Sequence, residues 1–171
     1  MTQLARFLAL LFVAAAPAAA DSVLFDNRVI RGNLCVGLDC SGSESFGADT
    51  LRFRANTMRI HFDDTSSGAF PTNDWRIVVN DDVSGGADYL AFGDIGGAAM
   101  PFRLDAGAPG DSLRIGGSGA IGFGTALPQM PLHVATGDSP TLRLEQDGRG
   151  GFDPQVWDIG GNETTFFLRD Q

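Results

Sequence analysis

The chain has 171 residues, of which 43% are hydrophobic, 19% are charged and 23 are glycine. Leucine, isoleucine, valine and phenylalanine recur in short runs, so the composition excludes an intrinsically disordered chain and indicates a turn-rich globular one. All 12 basic residues are arginine and the formal net charge is −9. This balance disfavours nucleic acid as a partner, because the phosphates would be repelled.

Residues 1–20 have the pattern of a secretory signal peptide. Arg6 supplies a short basic region, an apolar run covers Phe7–Ala16, and Ala18–Ala20 provides the small residues of a cleavage site. The apolar run is shorter than the roughly 20 residues that a membrane helix needs. We therefore expect an exported protein, in the periplasm, outside the cell or on its surface, without a membrane span and with a mature chain that begins at Asp21.

The segment 21–49 contains the two cysteines of the chain, Cys35 and Cys40. In an oxidising compartment such a pair predicts a disulfide. A redox dithiol usually has two intervening residues, and here there are four. A zinc site would need further ligands, yet His61 and His133 belong to distant patterns. The pair is expected to be a structural staple.

From Thr50 onward, short alternating apolar runs are separated by glycine, proline, asparagine, aspartate and serine, and no segment has a helical period. A spacing of about ten residues between such runs is typical of all-β proteins. The predicted fold is all-β, with short antiparallel strands in a sandwich or a stacked β-repeat. The predicted strands lie near 51–55, 58–63, 75–80, 88–93, 101–105, 112–116, 120–124, 131–135, 141–146, 155–160 and 164–169.

One stretch occurs twice, at Phe70–Asp94 and at Phe152–Asp170. The phenylalanine, tryptophan and asparagine that begin the first copy recur 82 positions later. Upstream, Thr50–Phe53 aligns with Thr141–Leu144, which requires insertions near 59–65 and 84–87 in the first copy. A period of this length predicts a duplicated β unit.

The duplication predicts a first module over 50–136 and a second, incomplete module over 137–171. Trp75 and Trp157 occupy equivalent positions, and we expect both to be buried core anchors. An incomplete β unit leaves strand edges unpaired. The chain is therefore expected to be a fragment of a longer repeat protein or to complete its second module by association with other copies.

Many predicted strands share a local pattern in which an arginine or histidine stands between two apolar residues. Because successive side chains of a strand point to opposite faces, the apolar pair should enter a core and the cation should lie on the other face. These cations allow two interpretations: an anion or glycan contact, or pairing with the acidic residues of neighbouring strands. The candidate contacts are Arg52, Arg59, Arg103 and Arg143.

The stretch 120–134 contains Gly122-Phe123-Gly124-Thr125, then Pro128, then Leu132-His133-Val134. It resembles the Gly-Ile-Gly-Thr-x-x-Pro-x-x-x-Leu-x-Val repeat of phage tail-fibre shafts and bacterial surface fibres. More broadly, the chain resembles uncharacterised secreted proteobacterial proteins in which this motif alternates with tryptophan-centred modules. The resemblance implies an extracellular fibre-like or adhesive part, often a trimer, and it brings no catalytic residues.

Apparent catalytic signals fail in their context. Residues 117–122 fit Gly-x-Gly-x-x-Gly, but further turn residues follow where a nucleotide site needs a helix. The carboxylates at 63–64, 81–82 and 88 are turn residues whose spacing matches no known calcium loop, so no cofactor is predicted and Ca²⁺ is kept as the alternative. No serine lies in a nucleophile elbow.

The sequence thus predicts a secreted, non-catalytic structural or adhesive β-repeat protein rather than an enzyme. Its expected partners are other copies of the chain, with a trimer favoured by the resemblance, and a surface glycan. The alternative is a carbohydrate-binding β-sandwich with an aromatic platform that includes Trp75, Trp157 or Tyr89. A glycan-acting hydrolase comes third, because its two carboxylates can lie anywhere in a sequence.

Overall fold

The computed structural model describes residues 23–171, so the predicted signal peptide and cleavage site lie outside the described residues. Every regular element of this part of the chain is a strand, which confirms the all-β class. The strands are β1 (Leu34–Val36), β2 (Leu51–Phe53), β3 (Met58–Phe62), β4 (Trp75–Val79), β5 (Tyr89–Asp94), β6 (Ala99–Asp105), β7 (Arg114–Ile115), β8 (Ile121–Phe123), β9 (Leu132–Val134), β10 (Thr141–Gln146), β11 (Gln155–Gly161) and β12 (Phe166–Asp170).

The chain divides into two compact units, the first ending at Arg54 and the second beginning at Ala55. In the first unit, β1 and β2 form a parallel pair. Cys35 and Cys40 form the predicted disulfide, with their Cα atoms 6.0 Å apart. The bridge lies at the end of β1, where the chain turns back after Val36, so it fixes the start of the loop that leads to β2.

The second unit begins with a four-stranded antiparallel sheet in the order β3-β4-β5-β6. Each strand pairs with the next along the chain, because the connecting segments are rich in turn residues and carry no helix. The register places Ile60 beside Ile77, and Ile77 beside Phe92. A bulge between Phe92 and Asp94 shifts the pairing of β5 with β6.

A three-stranded antiparallel sheet in the order β10-β11-β12 ends the chain. Its register repeats that of the first sheet. Trp75 stands opposite Asp94, as Trp157 stands opposite Asp170, and Ile77 stands opposite Phe92, as Ile159 stands opposite Leu168. The turns that follow β4 and β11 are also closed by equivalent residues, Asn80 and Asn162.

Each of these asparagines uses its backbone N–H and its side-chain oxygen to hold the residue that opens the next strand. Asn80 N donates to the Tyr89 carbonyl at 2.8 Å, and Tyr89 N donates to Asn80 Oδ1 at 3.1 Å. The same two bonds join Asn162 and Thr165, each at 2.9 Å. The longer first turn accommodates the extra residues predicted near 84–87.

The alignment of Thr50–Phe53 with Thr141–Leu144 was wrong. The strand beside β4 is β3, not β2, and the pairs Ile60–Ile77 and Leu142–Ile159 are separated by the same 82 positions. No insertion near 59–65 is therefore needed. The error arose because β2 carries the same Leu-Arg-Phe pattern as a sheet strand, while its partner is β1 in the other unit.

The fibre-like motif forms the remaining sheet, in the order β7-β8-β9. β8 pairs with β9 in parallel, so the expectation of antiparallel strands is wrong for this pair and for β1 with β2. Gly124 turns the chain with φ of 74°, in a region that favours glycine, and a Cβ atom there would collide with the Ala135 carbonyl. A Cβ atom at Gly122 would lie 3.4 Å from Pro128 Cβ, so the glycine leaves room for the proline ring.

The buried core of the described chain is small. Val78, Tyr89 and Ala91 form a cluster on one face of the first sheet, and Ala120 is buried apart from it. Trp75 is 45% exposed and Trp157 is 41% exposed, so the prediction that both are buried core anchors was wrong. Both indoles therefore lie on partly exposed sheet faces.

Candidate functional site

The first candidate is the apolar face of the β3-β6 sheet. Directly paired residues of neighbouring strands project to the same side, and the register therefore gathers one large apolar surface. We call this surface face A. It consists of Met58, Ile60, Phe62, Trp75, Ile77, Val79, Leu90, Phe92, Phe102 and Leu104, with Asp94 at one corner.

Face A is open to solvent. Phe62 is 54% exposed, and Phe92 and Phe102 are 46% and 45% exposed, although the last two rings touch each other with centroids 5.7 Å apart. Since an aromatic side chain carries about 200 Å² of surface, these residues and Trp75 alone expose about 400 Å². The largest apolar patch of a typical monomer, about 300–600 Å², is already often functional. With its aliphatic residues added, face A reaches or exceeds that range.

The last sheet carries a second surface of the same kind, which we call face C. Its residues follow from the same pairing rule and are Leu142, Leu144, Trp157, Ile159, Phe166 and Leu168. Phe166 and Leu168 are 79% and 62% exposed. Two sheets with the same register thus present the same type of uncovered apolar face.

The opposite side of the first sheet, which we call face B, carries arginine side chains beside a small buried core. Arg59, Arg76 and Arg103 alternate with the face A residues along their strands, and the register places Arg59 beside the buried Val78 and Arg103 beside the buried Ala91. The Arg103 guanidinium lies 4.0 Å from the ring centroid of Tyr89, and its Nε donates to Asp105 Oδ1 at 2.6 Å. Arg59 Nη1 donates to the Met58 and Val79 carbonyls at 2.8 and 2.9 Å.

Tyr89 lies beneath Arg103 and is only 7% exposed. The expectation that Tyr89 contributes to an exposed aromatic platform was therefore wrong. The apolar-cation-apolar pattern does separate apolar and cationic faces, as expected, but the covered face is the cationic one. Ala91, which lies beside Arg103 across the sheet, is fully buried, whereas large residues of face A such as Phe62 and Trp75 are about half exposed.

The four arginines singled out as anion contacts do not converge. They lie on three different sheets: Arg52 on β2, Arg59 and Arg103 on the first large sheet, and Arg143 on β10. Arg52 is tied to its own unit, with Nη2 donating to Asp49 Oδ2 at 2.6 Å and Nη1 to the Ser45 carbonyl at 2.9 Å.

Arg143 makes a two-pronged ion pair with the buried Asp158. Nε donates to Oδ1 and Nη2 donates to Oδ2, both at 2.8 Å. These hydrogen bonds lower the pKa of Asp158 and raise the pKa of Arg143. The pairing is of the kind expected between an arginine and an acidic residue of the neighbouring strand.

A groove of about 340 Å³ crosses face B. Arg59 and Arg76 line it together with the loop that joins β5 to β6 and with Asp81, Asp82 and Asp94. Asp94 Oδ1 accepts the Gly97 N–H at 2.9 Å, and this bond is the main cause of the lowered pKa of Asp94. Arg76 was visible in the sequence, in Trp75-Arg76-Ile77, but was not singled out because the pattern alone does not show which arginine borders a groove.

Among residues 23–171, no three histidine, cysteine, aspartate or glutamate side chains come together to hold a metal ion. Over the same residues, no helix has the length and apolarity needed to cross a membrane. His61 Nε2 lies 3.8 Å from Asp74 Oδ2, and His133 Nδ1 accepts the Gln129 N–H at 3.2 Å, so each histidine has a local partner.

No family model, curated protein or solved structure matches the chain. Its function must therefore be inferred from its own surfaces.

Proposed function

We propose that the chain is an exported, non-catalytic structural or adhesive β-repeat protein that completes its hydrophobic core by packing face A, and in the same way face C, against other copies of itself. The observation that carries the proposal is the exposure of face A. An uncovered sheet face with four large aromatic side chains loses its hydrophobic stabilisation unless another surface covers it.

The size of face A fits this role. A stable protein interface buries about 800 Å² on each partner. Face A supplies most of that area from side chains that lie on rigid neighbouring strands, and it carries one charged residue, Asp94, at its edge. A charge-poor apolar centre with a polar rim is the usual composition of interfaces between identical subunits.

Other copies of the chain are favoured as the cover because the two large sheets of the second unit repeat one design. Equivalent pairs, such as Trp75 with Asp94 and Trp157 with Asp170, place the same residue types at the same sites. A subunit built of repeated sheets can stack its apolar faces around a common axis. The resemblance of 120–134 to fibre shafts favours three subunits.

Export is supported by the disulfide and by the signal-like N-terminus. Disulfides persist in oxidising compartments and are rare in the cytosol. The adhesive role is the part of the proposal that depends most on the resemblance to surface fibres.

Light scattering of the mature chain tests the proposal. We expect a mass of three subunits, and we expect Phe92→Glu to lower it to that of one, because a charge would be buried at the centre of the interface. Phe70→Glu is the matched control: this phenylalanine is 72% exposed, lies in the loop between β3 and β4, and is not one of the paired residues of face A. A wild-type monomer that melts cooperatively would refute the assembly.

A further inference from the structure

The groove on face B has a use of its own that does not require the assembly. Most of its lining lies on the side of the sheet opposite face A, and Asp94, at the corner of face A, borders both surfaces. Val78, Tyr89 and Gly93 are among its lining residues, and its volume of about 340 Å³ is within the usual range for small-ligand sites. The β5-β6 loop and Asp82 also line it. The cavity can therefore hold a molecule of about the size of a monosaccharide.

Arg76 distinguishes this groove from the other surfaces. Its Nε atom is buried and has no hydrogen-bond partner, and it is the only side-chain nitrogen or oxygen of this kind within residues 23–171. None of the ion pairs in that range involves Arg76. A buried donor on a charged group without an acceptor is unfavourable. The Nη groups of Arg76 also have no hydrogen-bond partner within residues 23–171, but they are not buried, so they are the donors that an acceptor in the groove can reach.

The best acceptor for a guanidinium is a planar carboxylate, which can receive two parallel hydrogen bonds. Arg59 adds a second positive charge along the same wall, and only its Nη1 is held by carbonyls within the sheet. Two of the three groove carboxylates are occupied by their own turns: Asp81 Oδ1 accepts the Asp82 N–H at 3.0 Å, and Asp94 Oδ1 accepts the Gly97 N–H.

We propose that this groove binds the carboxylate of an acidic sugar, with Arg76 as its main donor and Arg59 as a supporting charge. A sugar fits better than a bare carboxylate because Asp82 also lines the groove and can accept hydrogen bonds from ring hydroxyls. Three aspartates line the groove together with the two arginines, so binding of one carboxylate is expected to be weak and a second negative charge is disfavoured. For a ligand of this size, binding is expected at a Kd of about 1 mM.

The test uses the full mature protein labelled with ¹⁵N and titrated with sodium glucuronate. The Nε–H signal of Arg76, identified by its absence in Arg76→Lys, should shift and saturate in the wild-type protein. Glucose, which lacks the carboxylate, and acetate, which lacks the ring, should each bind at least about tenfold more weakly. Equal binding of glucose would overturn the role of the carboxylate, and equal binding of acetate would overturn the assignment to a sugar.

Two variants complete the test. Arg76→Ala should weaken glucuronate binding by at least about tenfold, and Arg76→Lys should retain only part of it, because lysine lacks the planar fork. Arg114→Ala is the matched control, since Arg114 lies on β7 and pairs with Asp111 at 3.1 Å. If Arg76→Ala does not fold, the wild-type titration still decides: a Nε–H signal that does not move with glucuronate contradicts the proposal.

Discussion

Arg143 and Asp158 stand directly opposite each other on β10 and β11, and their side chains meet in two parallel hydrogen bonds of 2.8 Å. Asp158 is 9% exposed, and Arg169 stands opposite it on the other side, on β12. The carboxylate therefore lies between one arginine on each neighbouring strand, and its pKa is lowered, with the Arg143 hydrogen bonds as the largest cause.

This pair predicts a pH-dependent stability. Because the pKa of Asp158 is lower in the folded chain than its usual 3.8, its ionised form stabilises the fold at any pH above about 3.8, and this stabilisation is lost as the pH falls through the lower, folded value. We expect Asp158→Asn to lower the melting temperature at pH 7 and to converge with the wild type at acidic pH. Glu163→Gln, an exposed position outside the pair, is the control. An unchanged gap between wild type and Asp158→Asn down to pH 2 would contradict the linkage.

The two indoles provide a probe for the apolar faces. In the single chain Trp75 and Trp157 are roughly half exposed, so assembly through faces A and C should bury them and shift their emission to shorter wavelength. Trp157→Phe leaves Trp75 as the reporter of face A, and Trp75→Phe leaves Trp157 as the reporter of face C. Emission should shift to longer wavelength on dilution below the assembly constant. A Trp75 signal that stays water-exposed in a sample of trimer mass would remove face A from the interface.

One added methyl group at Gly124, in the fibre-like motif, is expected to destabilise the chain. Alanine there would be strained by the φ of 74° and would collide with the Ala135 carbonyl, so Gly124→Ala should destabilise the chain by about 1–3 kcal/mol. Gly117→Ala is the matched control, because a Cβ atom at Gly117 meets nothing within 4 Å. Chemical denaturation should separate the two variants. Equal midpoints would show that the loop adjusts at no cost.

The disulfide predicts effects confined to the first unit. Intact mass of exported protein should show no free thiol. Replacement of Cys35 and Cys40 by serine should destabilise that unit by about 2 kcal/mol, the entropy of closing so short a loop. Hydrogen exchange should show faster opening around β1 and β2, while the amides of β3–β6 keep their protection. Faster exchange throughout the second unit would indicate that the two units do not open separately.

Much of the local structure could be predicted from the sequence. Strands such as Thr141–Gln146 and Met58–Phe62 lie where the alternating patterns predict them. The reason is that the two-residue period of a strand can be recognised from consecutive residues alone. The patterns missed only β1, Leu34–Val36, among the described strands; it is too short and too close to the cysteines to show a period. The disulfide followed from the pairing of the only two cysteines.

The tertiary structure decided which strands meet and which faces are covered. The Leu-Arg-Phe pattern of β2 predicts a sheet strand as well as the pattern of β3 does. Only the long-range pairing shows that β2 pairs with β1 and that β3 pairs with β4. The sequence by itself determined that apolar residues and cations lie on opposite faces, since the side chains alternate. It did not determine that Arg103 covers Tyr89 while Trp75 stays partly exposed. Burial depends on which other surface packs against a sheet face, and the sequence of the strand does not specify that other surface.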